Sequence, residues 1–503
     1  MSVALVAGCV LGGPLLLGAT PPSVGAMLQI AAAGAIACWA LASPRPTALL
    51  LAPFVVAAPA LLQLLPLPPG LLRAISPWAA ATWSSVSRAG DSAWHRVSVD
   101  PAATLAAAGW LFLVVGVAVV VADLARDRRH RRVLLAAISA SALLTWSLGV
   151  AFPRSEDHLL LGFFDLRGFD KGPAWWWRTA VVRPEQSAGF SGTEWVTAGG
   201  ARYPVLYRGI GDGMGSYVVS NHFAAGLYLT LPTLLGVLLS GLRRRLPSAI
   251  GLALAAALFA WAAWTIGVVG GSRAGALATV AGGLVFLALE SRSRSARLAW
   301  GLAAAGALSL LLAAVLVFFG AIEIPPALVP VAARPTLARA LSDGRATITR
   351  AAVEMFRLSP VLGTGLGTYG SLQPILQPRE TPNAFAHDDW AQWLGETGAV
   401  GALVLAGGLA LLARALCRAW GAPDDRRFAV AGAWSSLAAL AVHSFFDWNL
   451  HVPANALLAC VVAGLAMSAG GPRDSRSKGP ESGASGVPIA AWLLAAAAVL
   501  AAS

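Results

Sequence analysis

The stretch AHDDWAQWLGETGAVG, residues 386 to 401, gathers His387, Asp388, Asp389 and Glu396 just before the apolar run ALVLAGGLALLARAL. A neutral imidazole accepts a proton from a hydroxyl near neutral pH, and a nearby carboxylate orients the ring, so His387 is a candidate general base. The same residues also read as a helix start, with Asp388 and Asp389 at its positive end and Trp390 and Trp393 at the membrane interface. Arg273 lies in WTIGVVGGSRAGALATV, a hairpin too short to reach far into water. A cation costs about 2.5–3.5 kcal/mol at the bilayer centre and less at the interface. Arg273 therefore either snorkels or clamps an anion, and its planar fork matches phosphate oxygens.

Arg345 opens an amphipathic helix in LSDGRATITRAAVEMFRLSP. Ser342 or Asp343 can cap that helix, and Ile348, Ala352 and Met355 or Phe356 form an apolar face suited to the membrane surface. Its first amides favour an anion beside Arg345, while the plainer reading pairs Arg345 with Asp343 or with water. His443 and Asp447 in HSFFDWNLHVPAN are four apart, which predicts a shared helical face and a buried pair bracing the bundle; alternatively they line one cavity. Trp175, Trp176, Trp177 and Arg178 can stack on sugar rings or sit at the interface. Gly365, Gly367 and Gly370 satisfy G-x-G-x-x-G, yet no strand precedes them and no βαβ unit surrounds them, so they read as a turn.

These groups need a scaffold, and composition names it. The chain has 503 residues, of which 57% are hydrophobic and 12% charged, more apolar surface than a soluble domain buries. The expected class is all-α, a polytopic membrane bundle of about 12–13 helices. Apolar runs fall at 3–19, 24–42, 48–65, 103–122, 133–152, 217–240, 247–269, 274–289, 298–320, 396–413, 428–446, 454–470 and 488–503. The net charge of +12 sits largely in short clusters, including RDRRHRR (126–132), RRR (243–245) and ESRSRSAR (290–297). That is the positive-inside pattern, so the basic balance concerns topology and not nucleic acid. Cys9, Cys38, Cys417 and Cys460 lie in or beside apolar runs without metal-ligand spacing.

With the basic loops inside, three long segments (66–102, 153–216 and 321–395) face the opposite side. SNHF (220–223), GSRAG (271–275), SDGR (342–345), AHDDW (386–390) and HSFFDWN (443–449) then share the outer face. The chain divides into N-terminal helices with two long outer loops (1–214), a core (215–470) that includes the loop 321–395, a polar linker (471–487) and a possible final span (488–503).

In order and content these motifs resemble the O-antigen ligase, Wzy polymerase and protein O-oligosaccharyltransferase superfamily of bacterial envelope proteins. The resemblance runs from about residue 215 to 465, through SNHFAAGLYLTLP, GSRAG, DGR, SPVLGTGLGTYG, HDDW and HSFFDWNLHVPANALL. The ligase pattern of His, then Asn, Ser or Gln, then nine residues and G-x-x-G is met at His387, Gly398 and Gly401, with Asp388 departing from it.

The resemblance implies a GT-C-like bundle in the bacterial inner membrane, with a periplasmic active site. It implies metal-independent glycosyl transfer from an undecaprenyl-pyrophosphate-linked glycan to a hydroxyl on lipid A core, a growing polysaccharide or a protein, with no cofactor. His387 would be catalytic, and Arg273, Arg345, Asp388, Asn221 and His222 would bind substrate, with His443 and Asp447 in support. A transporter or flippase of an anionic lipid-linked substrate is the alternative from another class, and an inactive family member is a third.

Overall fold

The computed structural model describes residues 1–20, 22–42, 48–86, 94–153, 159–160, 164–165, 194–198, 201–205, 214–217, 219–242, 248–291, 344–377, 383–419 and 424–468. The apolar runs at 298–320 and 488–503, the linker 471–487 and the tryptophans at 175–177 lie outside them.

The protein is an all-α bundle. Its first seven helices are α1 (Ser2–Leu15), α2 (Pro22–Leu41), α3 (Ala52–Leu64), α4 (Pro69–Ile75), α5 (Pro77–Val86), α6 (Pro101–Leu124) and α7 (Arg128–Ala151). Two short antiparallel hairpins follow (159–160 with 164–165, and 194–198 with 201–205), both within the long loop between α7 and the next helix. The second half contains α8 (Ser220–Leu242), α9 (Ser248–Trp264), α10 (Arg273–Glu290), α11 (Gly344–Leu358), α12 (Tyr369–Leu376), α13 (Asp389–Ala419), α14 (Asp424–His443) and α15 (Pro453–Ser468). Among the described residues seven helices are long and apolar enough to cross a membrane, and four more are apolar but shorter.

Sequence punctuates these helices locally. Asp100 accepts a hydrogen bond from the Ala103 amide and Pro101 takes the first turn of α6, where a missing N–H costs nothing. Asp127 caps α7 by accepting from the amides of Arg129 and His130. At the end of α9 a π-turn over Thr265–Val269 leads to Ser272, whose hydroxyl accepts from the Gly275 amide and caps α10. Arg273 is thereby placed in the first turn of α10.

The main core joins α1, α2, α6, α7, α8, α14 and α15 through buried Val10, Ile36, Leu113, Ile138, Tyr228 and Leu458. Helix α8 is the most enclosed candidate span, and a second core around Phe223, Phe259 and Phe286 seals it against α9 and α10. A third cluster differs from the sequence expectation. Ile348, Ala352 and Met355 of α11 are buried with Tyr369, Leu372 and Ala386, so this apolar face packs within the protein and does not lie on the membrane surface. Helices α12 and α13 offer that face a complementary apolar surface, which removes its need for lipid.

Candidate active site

Four segments meet around Trp448: the start of α8, the turn before α13, the turn after α14 and the short helical turn Asn449–His451. Phe385 stacks on the Trp448 ring at 4.5 Å, and His222 meets that ring edge-on at 4.4 Å. His387 approaches it edge-on at 6.3 Å. The indole is a wall that sets two imidazoles at fixed angles.

His387 has φ of 54°, a left-handed conformation uncommon for any residue with a Cβ. The turn turns its ring toward Asp447, with Nδ1 3.6 Å from Oδ1. The His387 side chain is 27% exposed and that of Asp447 only 2%. Asp447 Oδ1 also accepts from the Trp448 amide at 2.8 Å. Burial works against charge on Asp447, yet His387 at its side and the nearby His222 and His443 hold the carboxylate well below its ordinary range. A carboxylate facing Nδ1 favours the Nδ1–H tautomer, which leaves Nε2 to accept a proton. Such an arrangement can act as an oriented base, since part of the imidazole is exposed.

A second polar chain holds this turn in place. Asp389 receives the Ser444 hydroxyl at 3.0 Å and the Leu450 amide at 3.3 Å, and lies 3.1 Å from His451 Nδ1. His451 Nε2 lies 3.1 Å from the Gln392 amide, which also reaches Glu396 at 3.1 Å. Burial alone would lower the pKa of His451, but the hydrogen bond and charge of Asp389, with the charge of Glu396, raise it. Glu396 ends the chain by accepting from the amides of Gly367 at 2.8 Å and Tyr369 at 3.0 Å. The glycine-rich turn therefore cradles an oxyanion, as such turns do, but the anion is the protein's own carboxylate. Gln63 of α3 closes the same turn, donating to the carbonyls of Leu362 and Glu396 and accepting from the Leu366 amide.

Gly398 marks where α13 changes direction. Its φ of 63° and ψ of −158° suit glycine alone, and a Cβ there would lie 2.6 Å from the Val361 carbonyl oxygen. The kink brings the glycine-rich turn against α13, where the amides of Ala399 and Val400 donate to the Pro360 and Val361 carbonyls.

The residues singled out by sequence fall at one end of the bundle, with different degrees of engagement. Arg273 is exposed, and makes no ion pair or hydrogen bond among the described residues. It begins the turn that packs Gly275 against Ala224, two residues beyond His222. Arg345 lies in the first turn of α11, one turn before Thr349, whose hydroxyl donates to the Ala386 carbonyl next to His387. Asn221 is half-buried at the start of α8, and His222 is 1% exposed, with neither ring nitrogen hydrogen-bonded among the described residues.

Two expectations need correction. Asp388 does not reach outward as a substrate ligand: it is 2% exposed and caps α13, accepting from the Ala391 amide at 2.9 Å. Burial, with the charge of Asp389, lifts its carboxyl to about 7 against the hydrogen bonds of the Ala391 and Trp390 amides. His443 and Asp447 do not share a helical face, because α14 ends at His443. His443 Nδ1 lies 3.1 Å from both the Tyr228 hydroxyl and the Asn449 amide, while Asp447 turns to His387. The Asp447–His387 approach joins residues sixty apart and leaves no mark in local spacing. Glu396 was legible as a titratable group at a span mouth, but its partners were not.

Residues 257–406 match a family model described as O-Antigen ligase. That stretch includes Arg273, Arg345, His387, Glu396 and Gly398 and stops short of Asp447. A search of curated proteins finds no match.

Proposed function

From the match of residues 257–406 to the O-antigen ligase family model, we propose that this protein transfers a glycan from an undecaprenyl-pyrophosphate-linked donor to a hydroxyl acceptor. The acceptor belongs to lipid A core, a growing polysaccharide or a protein. In this reading the site opens on the periplasmic side of the inner membrane, consistent with the basic loops at the other end of the bundle.

The observation that carries the reading is the half-exposed His387 beside the buried Asp447 carboxylate. His387 Nε2 takes the acceptor hydroxyl proton as the oxygen attacks the anomeric carbon, and Asp447 stabilises the imidazolium that forms. The bond from that carbon to the pyrophosphate oxygen breaks, and negative charge grows on the departing lipid pyrophosphate. Arg273 and Arg345 supply fixed positive charge there, so no step calls on a metal ion.

The test is to incubate purified protein with a lipid-linked glycan and candidate acceptors, and to analyse covalent products. A glycan–acceptor adduct, lost in Arg273→Ala and in Arg345→Ala proteins that still insert in the membrane, is the expected result. Substrate translocation across liposomes with no adduct would replace the transferase with a transporter.

A further inference from the structure

At the end of the bundle away from the candidate active site, α7 and α8 part beside Ala429 of α14 to leave a cavity of about 360 Å³. Its lining changes character with depth. Arg128, Arg131 and Arg132 stand at the start of α7, followed by Leu135, Ala136 and Ser139 along the same helix, and Gly236, Val237 and Ser240 form the α8 side. From Arg128 to Ser139 the helix rises about 16 Å, so the cavity is a groove running from the basic mouth into the apolar depth.

The described acidic neighbours, Asp123 and Asp127, face other cations first, and Asp127 also lies within the field of Arg131. Asp123 pairs with Arg126 at 3.8 Å, and Asp127 faces His130 at 3.7 Å while capping α7. Among the described residues Arg128 and Arg132 make no ion pair, and both are exposed. Arg131 is 7% exposed and anchored by a 3.0 Å bond to the Ala125 carbonyl, so one guanidinium is built into the wall. Deeper in the groove the Ser139 hydroxyl is buried, without a hydrogen-bond partner among the described residues.

We infer that this groove binds an anionic glycerophospholipid, with its phosphodiester at Arg128, Arg131 and Arg132 and its glycerol and acyl region along Leu135, Ala136, Ser139 and Val237. Arginine forks match phosphate oxygens, and a basic pocket between spans at the membrane surface selects anionic headgroups. Free phosphate would satisfy the arginines but leaves the apolar groove unused. A ligand with a charged head and an apolar tail uses the whole of it. The positive-inside pattern places this lipid in the cytoplasmic leaflet, opposite the candidate active site.

The experiment uses full-length protein, stripped of lipid in detergent and offered phosphatidylglycerol or phosphatidylcholine with identical acyl chains. Retained lipid is quantified by native mass spectrometry. Wild type should retain phosphatidylglycerol preferentially. Arg128→Ala with Arg132→Ala, two exposed changes, should weaken that retention roughly 30-fold, at about fivefold per arginine. Val237→Trp, which fills the groove and spares the arginines, should also reduce it, and millimolar inorganic phosphate should not displace the lipid. Equal retention of the two lipids, or retention unchanged in the double variant, would overturn the proposal. Displacement by phosphate with Val237→Trp retaining wild-type binding would overturn it in favour of a simple anion site.

Discussion

Before Gly398, helix α13 buries Asp389, Gln392, Glu396 and Thr397; beyond it, Leu403, Leu409 and Leu411 are exposed at 74%, 49% and 55%. The same helix thus meets two solvents. Its first part is surrounded by protein, where a polar group survives only with partners, and the chain from Asp389 through His451 and Gln392 to Glu396 supplies them. Its second part presents leucines suited to hydrocarbon, where no partner is needed. Titratable residues collect at the mouth of this span because the mouth is interior to the protein, where each finds a partner.

Mutations on the two sides of Gly398 should differ sharply. Glu396→Ala should be the most damaging to stability, since it strips the acceptor from two amides in the glycine-rich turn. Each unsatisfied buried donor costs about 1–3 kcal/mol, so a large fall in the thermal midpoint of the detergent-solubilised protein is expected. Gly398→Ala should also cost at least about 1–3 kcal/mol, because alanine resists this backbone conformation and its Cβ meets the Val361 carbonyl, and the same thermal measurement reads it.

Asp388→Asn sharpens the comparison through pH. The folded Asp388 carboxyl is raised from near 4 to about 7, so the folded state holds a proton that the unfolded state has released in this window. Wild-type stability from this group is full below pH 4 and is lost as pH rises through about 7. Asparagine also caps helices well, so Asp388→Asn should raise the thermal midpoint more at pH 8 than at pH 5. An equal shift at both pH values would show that ionisation of Asp388 carries no penalty. The smallest effect belongs beyond the kink: Leu403→Ala should change stability by no more than about 0.5 kcal/mol in the same assay. A loss as large as that of Glu396→Ala would mean that the leucine face is packed against protein.

The scaffold was largely legible because burial in a bilayer writes itself as uninterrupted apolar length. Eleven of the apolar runs correspond to described helices, most within a few residues at each end. The start of α13 shows where that logic stops. Hydropathy opens the span at residue 396, yet the helix begins at Asp389, because its first two turns are polar residues enclosed by protein. The apolar face of α11, suited to the membrane surface by its sequence, packs inside instead, because amphipathicity reveals an apolar stripe but not what covers it. Gln63, alone in an apolar run, carried no signal of its tie to a turn some three hundred residues away. At the site, the types and positions of His387, Asp447 and Glu396 could be read from sequence, whereas their pairings depend on tertiary contacts.

The central claim is that Asp447 orients His387 to accept the hydroxyl proton. Its most direct test is steady-state transfer by purified Asp447→Asn with a lipid-linked glycan donor and a hydroxyl acceptor. The account predicts a kcat lower by about 100- to 10,000-fold, with membrane insertion retained and the donor KM little changed. A wild-type kcat in that variant would contradict it.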